Sequence, residues 1–400
     1  MSDRSVGFTG PLASLDGGFE AELRRLGYSA GARRRQLRLL AELSAWMGSE
    51  GLGAAALSSE RVAVFLQLRR LNGRDRFVSL MGLGTLLGYL RAAGGVPEAS
   101  RPAAVGPSEV VLDRYRCHLI EDRGLADAVV AQYETGGRLF ADFAASRGRD
   151  LAEVNAADVS AFVAHHCARP VKLAAPELVT ILRGLLRFLY VEGIVILPLA
   201  QAVPAVASWR AAALPKALPA GVPTRLLDSC DRTTAAGLRD YAMLMLLVRL
   251  GLRSGEIVAM RLEDFEWRAG EVVIRGKGRR HERMPLPAEV GDAVVGYLRA
   301  GRPRTECRVV FLRTLAPLVG LSRASVTQVV YAACGRAGVP RASAHRLRHT
   351  LATDLLQAGS SLGEIGQVLR HRSISTTALY AKVDHDALAT LARPWPGGRA

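Results

Sequence analysis

The chain has 400 residues, with 53 Lys and Arg against 37 Asp and Glu and a formal net charge of +16. A hydrophobic share of 49% excludes a disordered chain, and the length suffices for two or three domains with their own cores. No apolar run approaches the ~18 residues of a bilayer-spanning helix, MSDRSVGFTGPLAS lacks an apolar signal segment, and the five cysteines (117, 167, 230, 307 and 334) form no CxxC pair. A reducing cytoplasm is the expected location.

The basic excess predicts a polyanionic partner, with nucleic acid the best match, because Lys and Arg displace counterions from phosphates. Only Lys172, Lys216, Lys277 and Lys382 are lysines, and the other 49 basic residues are arginines. A GC-rich genome accounts for that bias, so a lysine that persists marks a place where an amine has a use. Residues 1–105 carry 14 basic and 9 acidic residues, residues 106–215 carry 11 and 12, and residues 216–400 carry 28 and 16. Charge is therefore concentrated in the last segment, with a smaller focus at Arg33-Arg34-Arg35.

In chain order, two Pro/Ala-rich stretches, 96–108 and 203–223, separate three segments and read as linkers. The expected organisation is a helical domain over 1–105, a second over 106–205, a linker over 206–223 and a C-terminal domain over 224–400. The first two segments resemble each other. LSSERVAVFL (57–66) lies 97 residues before VNAADVSAFV (154–163), and at the same offset Trp46 meets Phe143, Leu43 meets Phe140 and Gly27 meets Gly124. After a two-residue slip, LLGYLRAAG (86–94) meets LLRFLYVEG (185–193). Apolar residues at helical spacing (Leu37, Leu40, Leu43, Trp46; Leu182, Leu185, Leu186, Leu189) make both segments small helical domains, read as two copies of one.

The third segment predicts a buried helix over 238–250, a restart at GLRSGEIVAM with Ser254 as N-cap, and a small antiparallel sheet from FEW, EVVIRG and RMPLP. Helices follow near 288–300, 323–337, 344–358, 362–370 and 374–382, with Ser361 and Glu364 as a capping box. The fold class is mainly α with one small antiparallel β-sheet.

Four stretches carry chemistry: GLRSGE (251–256), RGKGRRHER (275–283), HRLRHT (345–350) and RHRSISTTALY (370–380). Arginine and lysine neutralise a phosphate, histidine moves protons near pH 7, and a tyrosine hydroxyl is a nucleophile for phosphorus. No acidic cluster suits two-metal phosphodiester chemistry, so a reaction without metal or cofactor is expected. His345 and His349 have the i, i+4 spacing of a zinc pair, but the arginines around them and the lack of an intervening Glu disfavour zinc.

Taken together and in order, these motifs resemble the tyrosine recombinases of the phage integrase family over roughly residues 106–395. The resemblance places the family's catalytic set on Arg253, Lys277, His345, Arg348, His371 and the nucleophile Tyr380, with Glu256 beside Arg253. It implies DNA strand cleavage through a 3′-phosphotyrosyl intermediate and release of a 5′-hydroxyl. In that scheme Arg253 and Arg348 bind the non-bridging oxygens, Lys277 protonates the leaving 5′ oxygen, His345 assists at the tyrosine, and His371 binds the phosphate. The implied partners are double-stranded DNA and a homo-tetramer on synapsed sites, in an integrase or transposase of a mobile element. A type IB topoisomerase-like activity and a catalytically silent DNA-binding protein are the alternatives. Two departures stand out: Arg370 occupies the family's usual Gly position before His371, and residues 1–105 exceed the simplest integrase layout. A left-handed cap at Arg370 costs about 1 kcal/mol relative to Gly.

Overall fold

The computed structural model describes residues 8–96, 106–167, 175–204, 217–276 and 281–370, together with Thr377 and Tyr380. The architecture is mainly helical with one three-stranded antiparallel sheet, as expected from the sequence. Among the described residues no helix is long and apolar enough to cross a membrane. The chain divides into two compact units, residues 1–100 with 214–400, and residues 101–213.

The first unit opens with four helices: α1 (Asp16–Arg25), α2 (Ala30–Ser49), α3 (Ser59–Leu71) and α4 (Leu80–Ala92). Serines 29, 58 and 79 cap α2, α3 and α4 by accepting a backbone N–H, each contributing about 1 kcal/mol. Phe19, Leu23, Leu40, Leu43, Leu83, Leu86 and Leu90 fill the core between these helices. Within this unit the Leu318 N–H donates to the Leu26 carbonyl at 2.9 Å, and a Cβ at Gly27 would overlap the Leu318 side chain. The helical module of residues 8–96 is thus in contact with the C-terminal part of the chain.

The second unit has its own four helices: α5 (Pro107–Glu121), α6 (Asp127–Ser146), α7 (Ala156–Cys167) and α8 (Ala175–Val191). Phe140, Phe162, Leu182, Leu185, Leu186 and Leu189 form its core. Its helices follow the order of the first module, and α2 and α6 are both 20 residues long. The left-handed glycines also match: Gly27 with Gly124, Gly51 with Gly148, and, after the slip, Gly94 with Gly193. Each supplies the positive φ that ends a helix, which a residue with a Cβ adopts only at a cost.

In the first unit's C-terminal part, α9 (Val222–Asp228) and α10 (Ala235–Arg249) precede the short α11 (Ser254–Ala259). Strands β1 (Phe265–Glu266), β2 (Glu271–Arg275) and β3 (His281–Pro285) pair in the order β1-β2-β3, with Val272 opposite Met284 and Arg275 opposite His281. Then come α12 (Ala288–Gly296), α13 (Arg323–Arg336), α14 (Ala344–Gln357) and α15 (Leu362–Val368). Six consecutive residues of α10, Ala242–Leu247, are buried, which makes it the central helix of this core.

Three local differences from the sequence expectations have physical causes. Arg253, not Ser254, caps α11, because the Glu256 carboxylate turns back to accept the Arg253 N–H at 2.9 Å. The helix expected over 288–300 is regular only to Gly296 and then widens into a π turn over Tyr297–Gly301. There a Cβ at Gly301 would lie 3.0 Å from the Ala235 carbonyl. The helix expected over 362–370 ends at Val368, and Arg370 takes φ 53°. The Ser361–Glu364 capping box is present, with the Ser361 N–H donating to Glu364 Oε2 at 2.8 Å. The helix expected over 374–382 lies outside the described residues except at Thr377 and Tyr380.

Candidate active site

The loop between α10 and α11 sets the geometry. Gly251 turns the chain at φ 57°, and a Cβ there would lie 2.9 Å from Leu369 and 3.0 Å from Leu351. Glycine thus lets the α10 end approach the α14 and α15 side chains, and its carbonyl accepts from Arg348 Nη1 at 2.5 Å. Arg348 Nη2 donates to the Leu369 carbonyl. This guanidinium, only 2% exposed, therefore ties the loop before α11 to the end of α15. Among the described residues it joins no ion pair. Burial, then the charges of Arg253 and Arg370, lower its pKa to about 10, so it stays protonated at neutral pH. A buried cation whose described hydrogen-bond partners are carbonyls suits an anion.

Arg253 stands at the start of α11 with its side chain 46% exposed, donating from Nη1 to Glu256 Oε1 at 2.7 Å. Glu256 is buried and also accepts from Arg370 Nη2 at 2.8 Å. Burial by itself would push the Glu256 carboxyl up, but Arg370 and Arg253 overcome it and hold it below the usual carboxylate range. Arg370 is 6% exposed, contacts Met284 Sδ on β3 through Nη1, and lends its carbonyl to Arg253 Nη2 at 3.5 Å. The residue at the usual glycine position thus closes a bridge from α15 to α11 and to β3. Arg253 and Arg370 share Glu256 here, Arg370 Nε also lies 3.9 Å from half-exposed Glu282, and buried Arg348 adds a further positive charge.

The HRLRHT stretch opens α14, and its residues face different ways. Leu347 enters the core, while Thr350 Oγ1 accepts the Leu218 N–H at 2.9 Å and Arg346 Nη2 donates to the Ala217 carbonyl at 3.2 Å. These two fasten the segment at 217–218 to α14. His345, Arg348 and His349 lie in one neighbourhood with Tyr380. The ring of exposed His345 packs edge-on against half-buried His349, with centroids 4.3 Å apart. Desolvation, then Arg348 and Arg253, hold the His345 pKa below its usual value. Burial, then the neighbouring His345 and Arg348, lower that of His349 to about 4. Both imidazoles are therefore neutral at pH 7.

Tyr380 is buried among Ala352, Ile365 and Leu369, and its hydroxyl meets His349 Nδ1 at 2.7 Å. Burial pushes the phenol above its usual pKa, against the opposing pull of Arg348. Of the six residues singled out from the sequence, the described structure brings Arg253, His345, Arg348 and Tyr380 into one neighbourhood. Lys277 and His371 lie outside the described residues. The strand that leads towards Lys277 is anchored: Arg275 grips buried Asp264 through Nε at 2.9 Å and Nη2 at 2.7 Å. Sequence reasoning missed two participants. His349 was weighed only as half of a zinc pair, although its spacing from His345 places both on one helix face. Arg370 was noted as a departure, but its pairing with Glu256 across 114 residues has no sequence signal.

Comparison with known proteins agrees with this geometry. Residues 217–386 match the model of the phage integrase family. The chain is 39% identical to the putative integrase/recombinase y4rA of Sinorhizobium fredii over 396 residues, covering 97% of this chain and 95% of that protein. It is 33% identical to the tyrosine recombinase XerD of Mycobacterium tuberculosis, covering 72% of this chain and 96% of that one. Among solved structures, the fold resembles XerH recombinase bound to its difH substrate, with TM-score 0.57 and 18% identity over 77% of this chain and 93% of that one. A lambda integrase dimer on a core site gives TM-score 0.52 and 18% identity, covering 72% and 98%. With Arg253, Arg348 and Tyr380 gathered in one site and relatives matched along most of their length, this chain belongs to the phage integrase family of tyrosine recombinases, enzymes that break and rejoin DNA.

Proposed function

We propose that the chain is the recombinase of a bacterial mobile element, acting on duplex DNA as a tetramer that holds two synapsed sites. Tyr380 Oη attacks the scissile phosphorus, the Oη–P bond forms as the P–O5′ bond breaks, and the second half-reaction reverses this with a 5′-hydroxyl from the partner strand. Ester exchange conserves the bond energy, so the scheme draws on neither ATP nor a metal. Arg253 and Arg348 hold the non-bridging oxygens as charge builds on them. Lys277 protonates the departing 5′ oxygen, a task that needs a titratable amine. His371 donates to the phosphate. Neutral His349, already at the Tyr380 hydroxyl, accepts the phenol proton, with His345 packed against it. Residues 106–205 serve as the core-binding domain and 224–400 as the catalytic domain, and the protein works in the cytoplasm at the nucleoid.

The observation that best supports this reading is the buried Arg348, bonded to two carbonyls and, among the described residues, to no carboxylate, beside a buried tyrosine whose hydroxyl meets an imidazole. Because Tyr380 is buried, the pocket around its hydroxyl and His349 has to open for a phosphate to reach it, so DNA engagement and exposure of the nucleophile are coupled. The test is a nicked suicide duplex built from the DNA at the ends of the element, incubated with chelator. Wild-type protein should form a covalent adduct that Tyr380→Phe abolishes. An adduct that persists in the variant overturns the nucleophile assignment, and plasmid relaxation without strand exchange would favour a topoisomerase.

A further inference from the structure

The first helical module carries a second arginine cluster, remote in sequence from the catalytic motifs. A cavity of about 150 Å³ between α2 and the α3–α4 loop is lined by Arg35, Arg38, Arg69, Arg74 and Arg76, with Glu42 and Asp75 as its acidic residues. Arg69 is the builder: its side chain, 9% exposed, donates to Glu42 through Nη1 and to the Arg76 carbonyl through Nη2 at 3.0 Å. Arg70 holds the same loop by donating from Nη2 to the Val78 carbonyl at 2.6 Å. The loop is thus fastened back against α2, which sets Arg76 beside Arg35 and Arg38. These three are exposed, and among the described residues none of them joins an ion pair. Arg69 Nε is buried and without a hydrogen-bond partner among the described residues.

The second module supplies an internal control. At the offset of 97 residues that aligns α2 with α6, Arg35 and Arg38 correspond to Gln132 and Thr135. Thr135 bonds its own helix at the Ala131 carbonyl and Gln132 reaches Glu177 at 3.4 Å. The same helix therefore forms without cations at these places, and the fold does not demand them in the first copy. Three unpaired guanidinium forks around a pre-organised floor have the geometry and charge to take phosphate oxygens in pairs.

We propose that this cradle binds the phosphodiester backbone of duplex DNA, so that residues 1–105 add a second grip on DNA away from the catalytic site. The inference rests on the reading of the chain as a DNA-acting enzyme, and the experiment separates the two. In the full-length protein, Arg35→Gln with Arg38→Thr installs the residues of the sister copy, which the same helix already accommodates, and Arg76→Ala is added as a third change. Binding to a long duplex of arbitrary sequence is followed by fluorescence anisotropy from about 50 to 200 mM salt, where each neutralised phosphate contributes a slope of about 0.9 in log K against log salt. The double variant should lower the slope by about 2 and the triple by about 3, with affinity down about tenfold to a hundredfold. The Tyr380-dependent adduct at saturating protein should be unchanged.

An unaltered slope and affinity in folded variants overturns the proposal and leaves the recombinase reading intact. Loss of self-association with an unaltered slope also overturns it, because the cradle would then face an acidic protein surface. A reduced slope in a protein that forms no adduct even as wild type would support the cradle and sink the catalytic reading.

Discussion

Two arginine clusters in this molecule share a plan and differ in what they leave free. At the catalytic site Glu256 is bridged by Arg370 and by half-exposed Arg253; in the first helical module Glu42 is bridged by buried Arg69 and by Arg74, 57% exposed. Each cluster also contains a non-glycine residue with positive φ, Arg370 at 53° and Phe77 at 55°, and among the described residues these are the two such cases. In both, a glutamate anchors a buried arginine that fastens a strained segment. The remaining cations differ. Arg348 is buried, held by carbonyls and placed near the Tyr380 phenol, whereas Arg35, Arg38 and Arg76 stand in solvent. Burial concentrates the field needed to stabilise a transition state, while exposure yields a screened attraction suited to holding a ground state. The same parts thus make a reaction site in one place and a grip in the other.

The largest expected effect breaks the reactive side of this comparison. Arg348→Ala should slow formation of the covalent adduct by about a hundredfold to a thousandfold at saturating DNA, because a donor aimed at developing charge is lost. The corresponding loss in the other cluster, Arg38→Ala, should leave the single-turnover rate at saturation unchanged. Equal losses would mean that both clusters act only through binding. Next in size is the glutamate. Glu256→Ala leaves the buried Arg370 with only half-exposed Glu282, 3.9 Å from its Nε, as counter-charge among the described residues, and should destabilise the protein by about 3 kcal/mol. Glu42→Ala, in a partly solvated setting, should cost about 2 kcal/mol. Denaturant midpoints at constant m-value measure both.

How much of this was legible beforehand follows from how each feature is encoded. The sheet, the central helix over 238–250 and the Ser361–Glu364 capping box are written in local sequence, and they appear within three residues of expectation. Arg253, Arg348 and Tyr380 were legible because each sits in a short motif with ordered neighbours. His349 is visible only as half of a disfavoured zinc pair, since i, i+4 spacing shows that two histidines share a face and not what that face meets. The Arg370–Glu256 pair was illegible because it depends on tertiary folding between distant segments. The π turn after Gly296 was likewise hidden, because it is set by packing against Ala235 and not by the local hydrophobic period.

The contact between His349 and Tyr380 makes a prediction in pH. His349 is depressed to about 4 in the folded protein, while in the unfolded chain it titrates near 6.5. Between those values the unfolded state binds the extra proton, so stability is complete above about pH 6.5 and declines as the pH falls towards 4. His349 is only half-buried, so the loss should be about 1–2 kcal/mol after solvent screening. His349→Gln removes this titration. The stability difference between the wild type and this variant, read from urea midpoints across that range, should shift in favour of the variant as the pH falls, and a constant difference would show that His349 is not desolvated.

The smallest expected effect concerns the two left-handed residues. Arg370→Ala and Arg370→Gly both lose the ion pair with Glu256 and the contact with Met284, so comparing them cancels those terms and isolates the backbone. Glycine has no Cβ to clash at φ 53°, so Arg370→Gly should be the more stable of the two by about 1 kcal/mol. The matching pair at Phe77, alanine against glycine, should give the same sign and size, because φ differs by only two degrees between the sites, 53° against 55°. Both Phe77 variants also lose an aromatic ring packed on the module's core, a loss common to the pair. If the alanine–glycine difference appears at Phe77 and vanishes at Arg370, the segment after α15 relaxes once the Glu256 bridge is cut. The left-handed turn there would then be imposed by the arginine side chain and not by the chain's path, and the two clusters would differ in how their strained segments are held.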